Sequence, residues 1–188
     1  MSKEEITKLH AEIDINHINS IRADSFSARI LRVAEYYCSI GLYVIPLAKK
    51  SKSLPEAKMG INYDSASNKL ATIRRWFGVG GKFEGHNIGL ACGRSDGIMA
   101  LDIDLKMKHG TNGSLELERL IEEGNVLPTA PIQITPSGGK HYIFRWKEGC
   151  SSSSDKIAVG IDTRGGMEDR FTGHIVAFPS FTDQGTYS

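Results

Sequence analysis

Ile98-Met99-Ala100-Leu101-Asp102-Ile103-Asp104 is an apolar run closed by two aspartates at alternate positions. A short apolar run bounded by turn residues reads as a strand buried in a sheet. Strand side chains alternate faces, so Asp102 and Asp104 fall on one side and Ile103 on the other. Two carboxylates then share one small volume, where they repel and raise each other's pKa unless a divalent cation or another positive group compensates. The pair reads as a metal site. The alternative is a strand that stops at Leu101 and leaves both aspartates solvated in a turn, and the flanking sequence bears on the choice.

Upstream, Asn87 to Ala91 reads as a second strand, joined to the first through Cys92-Gly93-Arg94-Ser95-Asp96-Gly97 in a tight reversal. Further back, Ser25 is an N-cap for a helix in which Phe26, Ile30, Val33, Ala34 and Tyr37 recur at helical spacing until Gly41. Residues 42–47 then form a short buried strand, residues 49–58 a basic loop with Lys49, Lys50, Lys52 and Lys58, and residues 69–77 a second helix. Residues 1–24 are a leader or loosely docked helix, and residues 25–188 one domain. Downstream, Leu115, Leu117, Leu120 and Ile121 mark a helix ending at Gly124, followed by apolar segments at 132–135, 140–146, 157–162 and 174–178. Helices early and strands late predict an α+β domain, a mixed or antiparallel sheet with helices packed on it.

At 188 residues and 40% hydrophobic composition the chain can bury a real core. A formal net charge of +1 leaves any nucleic-acid surface to local clusters of basic residues. No apolar run is long enough to span a bilayer and the first residues lack a secretory pattern, so a cytoplasmic location is expected, with no membrane partner. Cys38, Cys92 and Cys150 are odd in number and widely spaced, which suggests neither a disulfide framework nor a structural zinc site.

Two further constellations accompany the aspartates. Thr135-Pro136-Ser137-Gly138-Gly139-Lys140-His141 is a glycine turn leading into the strand Tyr142-Ile143-Phe144-Arg145-Trp146. Glycines let backbone amides approach an anion, and Ser137, Lys140 and His141 add a hydroxyl, a charge and a donor, as a phosphate site requires; an ordinary hairpin turn is the other reading. Alternation puts His141 and Arg145 on one face, and Tyr142, Phe144 and Trp146 on the opposite face, expected to pack in the core. In Gly160-Ile161-Asp162-Thr163-Arg164-Gly165, Asp162 closes another apolar strand and Arg164 shares its face. A third carboxylate with a cation beside it fits a metal and triphosphate site, though a surface Asp–Arg pair reads the same.

Together and in this order, the three segments resemble the archaeo-eukaryotic primase superfamily, specifically the bifunctional DNA primase/polymerase (prim-pol) N-terminal domain. The likeness covers roughly residues 30–185. Leu101-Asp102-Ile103-Asp104, approached by Asn87-Ile88-Gly89-Leu90 and Gly93, is similar to the family's first motif, Ser137 to His141 to its second, and residues 160–165 with the stretch ending at Ser180 to its third.

The resemblance implies an RRM-like sheet beside a smaller α/β unit, with the active site between them. It implies a template-dependent nucleotidyltransferase that transfers from NTP or dNTP to a 3'-hydroxyl, with Asp102, Asp104 and Asp162 holding two Mg2+ or Mn2+ ions. His141, Ser137, Gly138 and Gly139 would hold the incoming triphosphate, with Arg164 adding a contact and Lys52 matching a family lysine upstream. A single-stranded DNA template is the implied partner, with a helicase or helical accessory domain as another. Relatives with a zinc stem carry a cysteine cluster that this chain lacks, and the sequence stops directly after the third motif, which suggests a minimal or truncated catalytic domain.

Arg74, Arg75, Trp76, Lys106, Lys108 and His109 are candidate template contacts, though each reads more readily as a solvated cation or a core aromatic and none is counted as a site residue. His174 reads as a strand residue near the site. Two other functions fit the same acidic residues: a replication-initiator module that binds DNA without synthesis, and a metal-dependent nuclease.

Overall fold

The computed structural model describes residues 13–106 and 110–188. The N-terminal part of the expected leader, residues 1–12, and the template candidates Lys108 and His109 lie outside the described residues, as does the side chain of Lys106. The rest of the leader contains helix α1 (Ile15–Ser20), capped by the Asp14 side chain, which accepts from the His17 N–H. It is docked: Ile13 and Ile18 are buried, and the Asp14 N–H donates to the Tyr36 hydroxyl at 2.9 Å.

Helix α2 (Phe26–Ser39) begins where the sequence predicts, with Ser25 Oγ accepting the Ala28 N–H, and it buries Ile30, Val33, Ala34 and Tyr37. Helix α3 (Leu70–Phe77) packs beside it and buries Ile73, Trp76 and Phe77. Helix α4 (Gly113–Glu122) starts at an Asn112 cap. No described helix is long and apolar enough to cross a membrane.

The strands are β1 (Val44–Leu47), β2 (Asn87–Gly93), β3 (Ile98–Ile103), β4 (Leu105–Lys106), β5 (Thr111–Asn112), β6 (Ile132–Ile134), β7 (Lys140–Arg145), β8 (Ser153–Ala158), β9 (Ile161–Arg164), β10 (Phe171–Val176), β11 (Phe181–Thr182) and β12 (Gly185–Thr186). Eight of them form one mixed, curled sheet, so the expected α+β class holds. Its larger and smaller units are two halves of that sheet. One half centres on β2, flanked antiparallel by β1 and β10; the other centres on β3, flanked antiparallel by β7 and β9, with β6 and β8 at the edges. Helices α2 and α3 cover the first half, and α4 contacts β3, β8 and β9 of the second.

The segment 92–97 is not the hairpin reversal that its glycines suggest. The two strands run parallel and meet through the single pair Cys92↔Ile98. Both antiparallel edges of β2 are already taken, so β3 continues onward rather than folding back. The loop is pinned from the side, with the Arg94 N–H donating to the Met167 carbonyl and the Ser95 N–H to the Glu168 carbonyl. Gly93 takes φ +118°, and a Cβ there would sit 2.5 Å from the Arg170 carbonyl oxygen. Only glycine suits that position.

A second correction concerns residues 157–162, expected as one strand. The chain turns at Gly160, φ +81°, and splits into β8 and β9. β8 is an edge strand with mostly exposed side chains, so its serines, aspartate and lysine gave no strand pattern.

A third concerns the division of faces on β7. His141 and Arg145 do share a face, but Ile143 between them is in the main core; on the other face Phe144 is buried as expected, outside that cluster, and Tyr142 is only half-buried. On β3, Ile98 and Ala100 likewise enter the core from the face that carries Asp102. Packing and chemistry are therefore separated along this face, apolar at one end and ionic at the other, while Phe144 and Ile103 are buried on the opposite faces of their strands.

Candidate active site

Strand pairing brings the three sequence constellations together. Across the antiparallel ladders Asp102 stands directly opposite His141 on one side and Asp162 on the other. Asp104 lies two residues beyond Asp102 and lines the same cavity of about 470 Å³, together with Ser137, Arg164 and Lys52. The cavity lies between the two halves of the sheet, since His174 and Val176 of β10 form its far wall. A volume of this order suits a small phosphorylated ligand.

Arg164 is the electrostatic hub. Its Nη2 donates to Asp102 Oδ2 at 3.1 Å and to Asp162 Oδ2 at 2.9 Å. Asp162, 7% exposed, is held further by the Asp155 N–H at 3.0 Å and the Ser154 hydroxyl at 3.3 Å. Burial pushes the Asp102 carboxyl up, but the hydrogen bond from His141 and the charge and hydrogen bond of Arg164 outweigh it, and the net shift is downward. For Arg164, burial pulls the pKa down, and the charges of Asp102, Asp162 and Asp104 more than reverse that. Both groups are ionised at neutral pH.

This carries a prediction. A carboxyl whose folded pKa is depressed contributes stability that is complete above its unfolded value, about pH 4, and is lost as pH falls through the folded value. The difference in unfolding temperature between the wild type and Asp102→Asn is therefore expected to be constant near neutrality and to shrink below about pH 4. A difference that persists unchanged to about pH 2 would contradict the ion pair.

Among the described residues, no three His, Cys, Asp or Glu side chains are gathered closely enough to form a ready metal cage. The fit lies in donor chemistry and charge. Three carboxylates line the cavity against the cationic side chains Arg164 and Lys52, an all-oxygen donor set with excess negative charge. Arg164 bridges Asp102 and Asp162 and offsets part of that charge.

The glycine turn has a steric reason for its sequence. The Gly138 N–H donates to the Thr135 carbonyl at 2.9 Å, so it is engaged inside the turn. Gly138 adopts φ +86°, and a Cβ on Gly139 would lie 2.4 Å from the Ile103 carbonyl oxygen. These residues let the turn press against the end of β3 and present Ser137, whose Oγ lies 3.1 Å from Thr135 Oγ1, to the cavity.

Lys52 is placed by its backbone. The His174 Nε2–H donates to the Lys52 carbonyl at 2.7 Å, and Asn87 Nδ2, fully buried, donates to the Ser51 carbonyl at 3.0 Å. His174 thus anchors the basic loop, and its Nδ1 lies 3.3 Å from the Tyr63 hydroxyl. Burial lowers the His174 pKa, against the pull of the Lys52 carbonyl and with help from Arg164.

Sequence reasoning missed three contributors. Tyr187 is buried with its ring 6.0 Å from His141, and burial together with the Asp102 charge pushes its hydroxyl up to about 12. Tyr63 stands beside His174. Gln133 bonds to His141 from behind. The readable signal was in Gln133, a polar residue centred in Ile132-Gln133-Ile134 at the position that strand alternation makes distinct from its neighbours.

Of the template candidates, Arg74 is tied to Glu35 at 2.6 Å and Trp76 belongs to the core. Arg75 lines a separate open groove of about 630 Å³ beside Lys69, Lys82 and Arg94, with no acidic side chain among its described lining. Segment 59–67 runs along this groove, while Tyr63 within it faces the acidic cavity.

The family model described as bifunctional DNA primase/polymerase, N-terminal (Prim-Pol), matches residues 34–188. Comparison with curated proteins returns no match.

Proposed function

We propose that this chain, which belongs to the bifunctional DNA primase/polymerase family, is a template-dependent nucleotidyltransferase whose reaction centre is the Asp102–Asp104–Asp162 cavity. The family supports a primase or polymerase type of activity acting on DNA and nucleotides. The observation that carries the finer reading is the direct cross-strand pairing of Asp102 with Asp162, bridged by one guanidinium and flanked by His141.

A triphosphate brought to a cavity lined by three carboxylates meets like charge at close range, which favours added positive charge there. Mg2+ or Mn2+ held by Asp102, Asp104 and Asp162 would neutralise that repulsion, favour the 3'-hydroxyl as nucleophile and stabilise the departing pyrophosphate. The chain's own residues do the rest. Arg164, displaced from at least one carboxylate, offers its guanidinium to a phosphate oxygen, for which its planar donor fork is suited. The His141 ring and Ser137 hydroxyl border the same space and orient the triphosphate, and Lys52 adds positive charge at the rim. The bond formed joins the 3'-oxygen to the α-phosphorus, and the α–β phosphoanhydride breaks.

The single-stranded template is assigned to the basic groove beyond segment 59–67, where exposed Lys69, Arg75 and Lys82 can neutralise backbone phosphates. Arg75→Ala with Lys82→Ala is expected to weaken binding of an oligothymidylate and to flatten the slope of log affinity against log salt by about 1.4, roughly 0.7 for each lost contact. An unchanged slope would remove the groove from the account.

The deciding assay incubates the protein with a single-stranded template, labelled nucleotides and Mn2+ or Mg2+. Elongated product supports synthesis. Shortened strands would indicate a nuclease, and template binding without either product an initiator module.

A further inference from the structure

Strand β6 is inverted with respect to polarity. Ile132 and Ile134 are each 38% exposed, while Gln133 between them is 7% exposed and points inward. Burying a primary amide in place of an isoleucine is unfavourable unless its hydrogen bonds are satisfied. Here they are. Gln133 Oε1 accepts the Phe178 N–H at 2.7 Å, and Nε2 donates to the Val176 carbonyl at 2.7 Å and lies 3.0 Å from His141 Nδ1.

Those contacts fix more than the glutamine. A backbone N–H can only donate and a backbone carbonyl can only accept, so the amide has one possible orientation. Its second Nε2 hydrogen is then directed at His141 Nδ1, which must offer a lone pair. In a neutral imidazole the proton consequently resides on Nε2. That atom faces the cavity, 3.4 Å from Asp102 Oδ1.

We propose that Gln133 is a positioning residue that holds His141 as the Nε2–H tautomer, so that the ring meets the cavity as a hydrogen-bond donor to an anionic oxygen. Asp102 supplies that oxygen in the structure described, and a phosphate oxygen of the nucleotide supplies it in the working complex. Only the second identity rests on the proposed function. The opposite tautomer would turn a lone pair toward a phosphate, which accepts but does not donate, and the contact would be lost. Gln133 reads the last residue of β10 and the backbone just beyond it, so the ring's protonation pattern is tied to where the end of β10 lies against β6.

The test is long-range ¹H–¹⁵N correlation NMR on protein labelled with ¹⁵N-histidine, which distinguishes the two tautomers directly. The wild type, without ligand, is expected to show His141 as Nε2–H. In Gln133→Glu the carboxylate cannot donate to Nδ1, and the ring is expected to gain an Nδ1 proton. In Gln133→Met, of similar volume, the lock is removed and both tautomers are expected. An Nδ1–H signal in the wild type overturns the proposal with no variant needed, and so does an Nδ1 that stays unprotonated in whichever variant folds. Nucleotide affinity is expected to fall about twofold in Gln133→Met, where the ring donates from Nε2 only part of the time, with template affinity unchanged. A tautomer change without that loss supports the positioning role and counts against the nucleotide reading, so the two failures are distinguishable.

Discussion

Replacing Asp102 and Asp104 together by alanine is expected to eliminate template-directed extension while the chain stays folded. The loss should be at least on the order of 10³-fold, the scale on which removing preorganised electrostatic stabilisation of a transition state is felt. Two of the three carboxylates that line the cavity disappear, and with them the oxygen donors that a divalent cation needs. The fold has little reason to fail. Arg164 keeps its 2.9 Å bond to Asp162 and its side chain is 34% exposed, so its charge stays paired and partly hydrated. The core residues of β3, Ile98 and Ala100, are untouched. A stability loss of roughly 2–4 kcal/mol is expected, since Asp102 gives up its contacts to both His141 and Arg164. Thermal unfolding and circular dichroism check the second half of the prediction, and product formation the first. Extension that survives in the double variant would refute the assignment.

His141→Ala is expected to weaken nucleotide binding by about 10- to 150-fold, since a hydrogen bond to a charged phosphate contributes about 1.5–3 kcal/mol, and to leave template binding nearly unaltered. The asymmetry is the informative part. His141 is 5% exposed and faces Asp102 inside the acidic cavity, whereas the basic groove is lined from other elements. Binding of labelled nucleotide and of a labelled oligonucleotide, measured separately, gives both numbers. Equal losses would mean that the ring supports the cavity as a whole and does not touch the triphosphate.

Much of this site was legible before any coordinates, because it is written in strands with period-two alternation. Asp102 and Asp104 fall on one face by counting alone, and so do His141 with Arg145 and Asp162 with Arg164. The pairing partners of those strands were not legible. That β3 is flanked by both β7 and β9, which places Asp102 between His141 and Asp162, depends on long-range register that no local pattern encodes. The same gap explains the misread connection at 92–97: its glycines signal a turn, but whether a turn reverses the chain depends on which sheet edges are free. The split at Gly160 was hidden because an edge strand exposed to water need not be apolar.

The most inward-looking residues were the hardest to foresee. Gln133, Tyr187 and Tyr63 carry no motif, and their roles arise from what the curled sheet sets beside them. A polar residue between two isoleucines is visible in the sequence, but alternation alone does not tell which side is the interior.

The central claim is that Asp102, Asp104 and Asp162 form a divalent-cation site beside a nucleotide cradle. Its most direct test is Mn2+ binding, followed by the electron paramagnetic resonance of the free ion in the presence of a non-hydrolysable nucleotide triphosphate, for the wild type and for Asp162→Asn. The account predicts Mn2+ binding to the wild type that is enhanced by the nucleotide and at least about tenfold weaker in the variant, on the scale of losing one charged ligand. Equal Mn2+ affinity in the two proteins would contradict it.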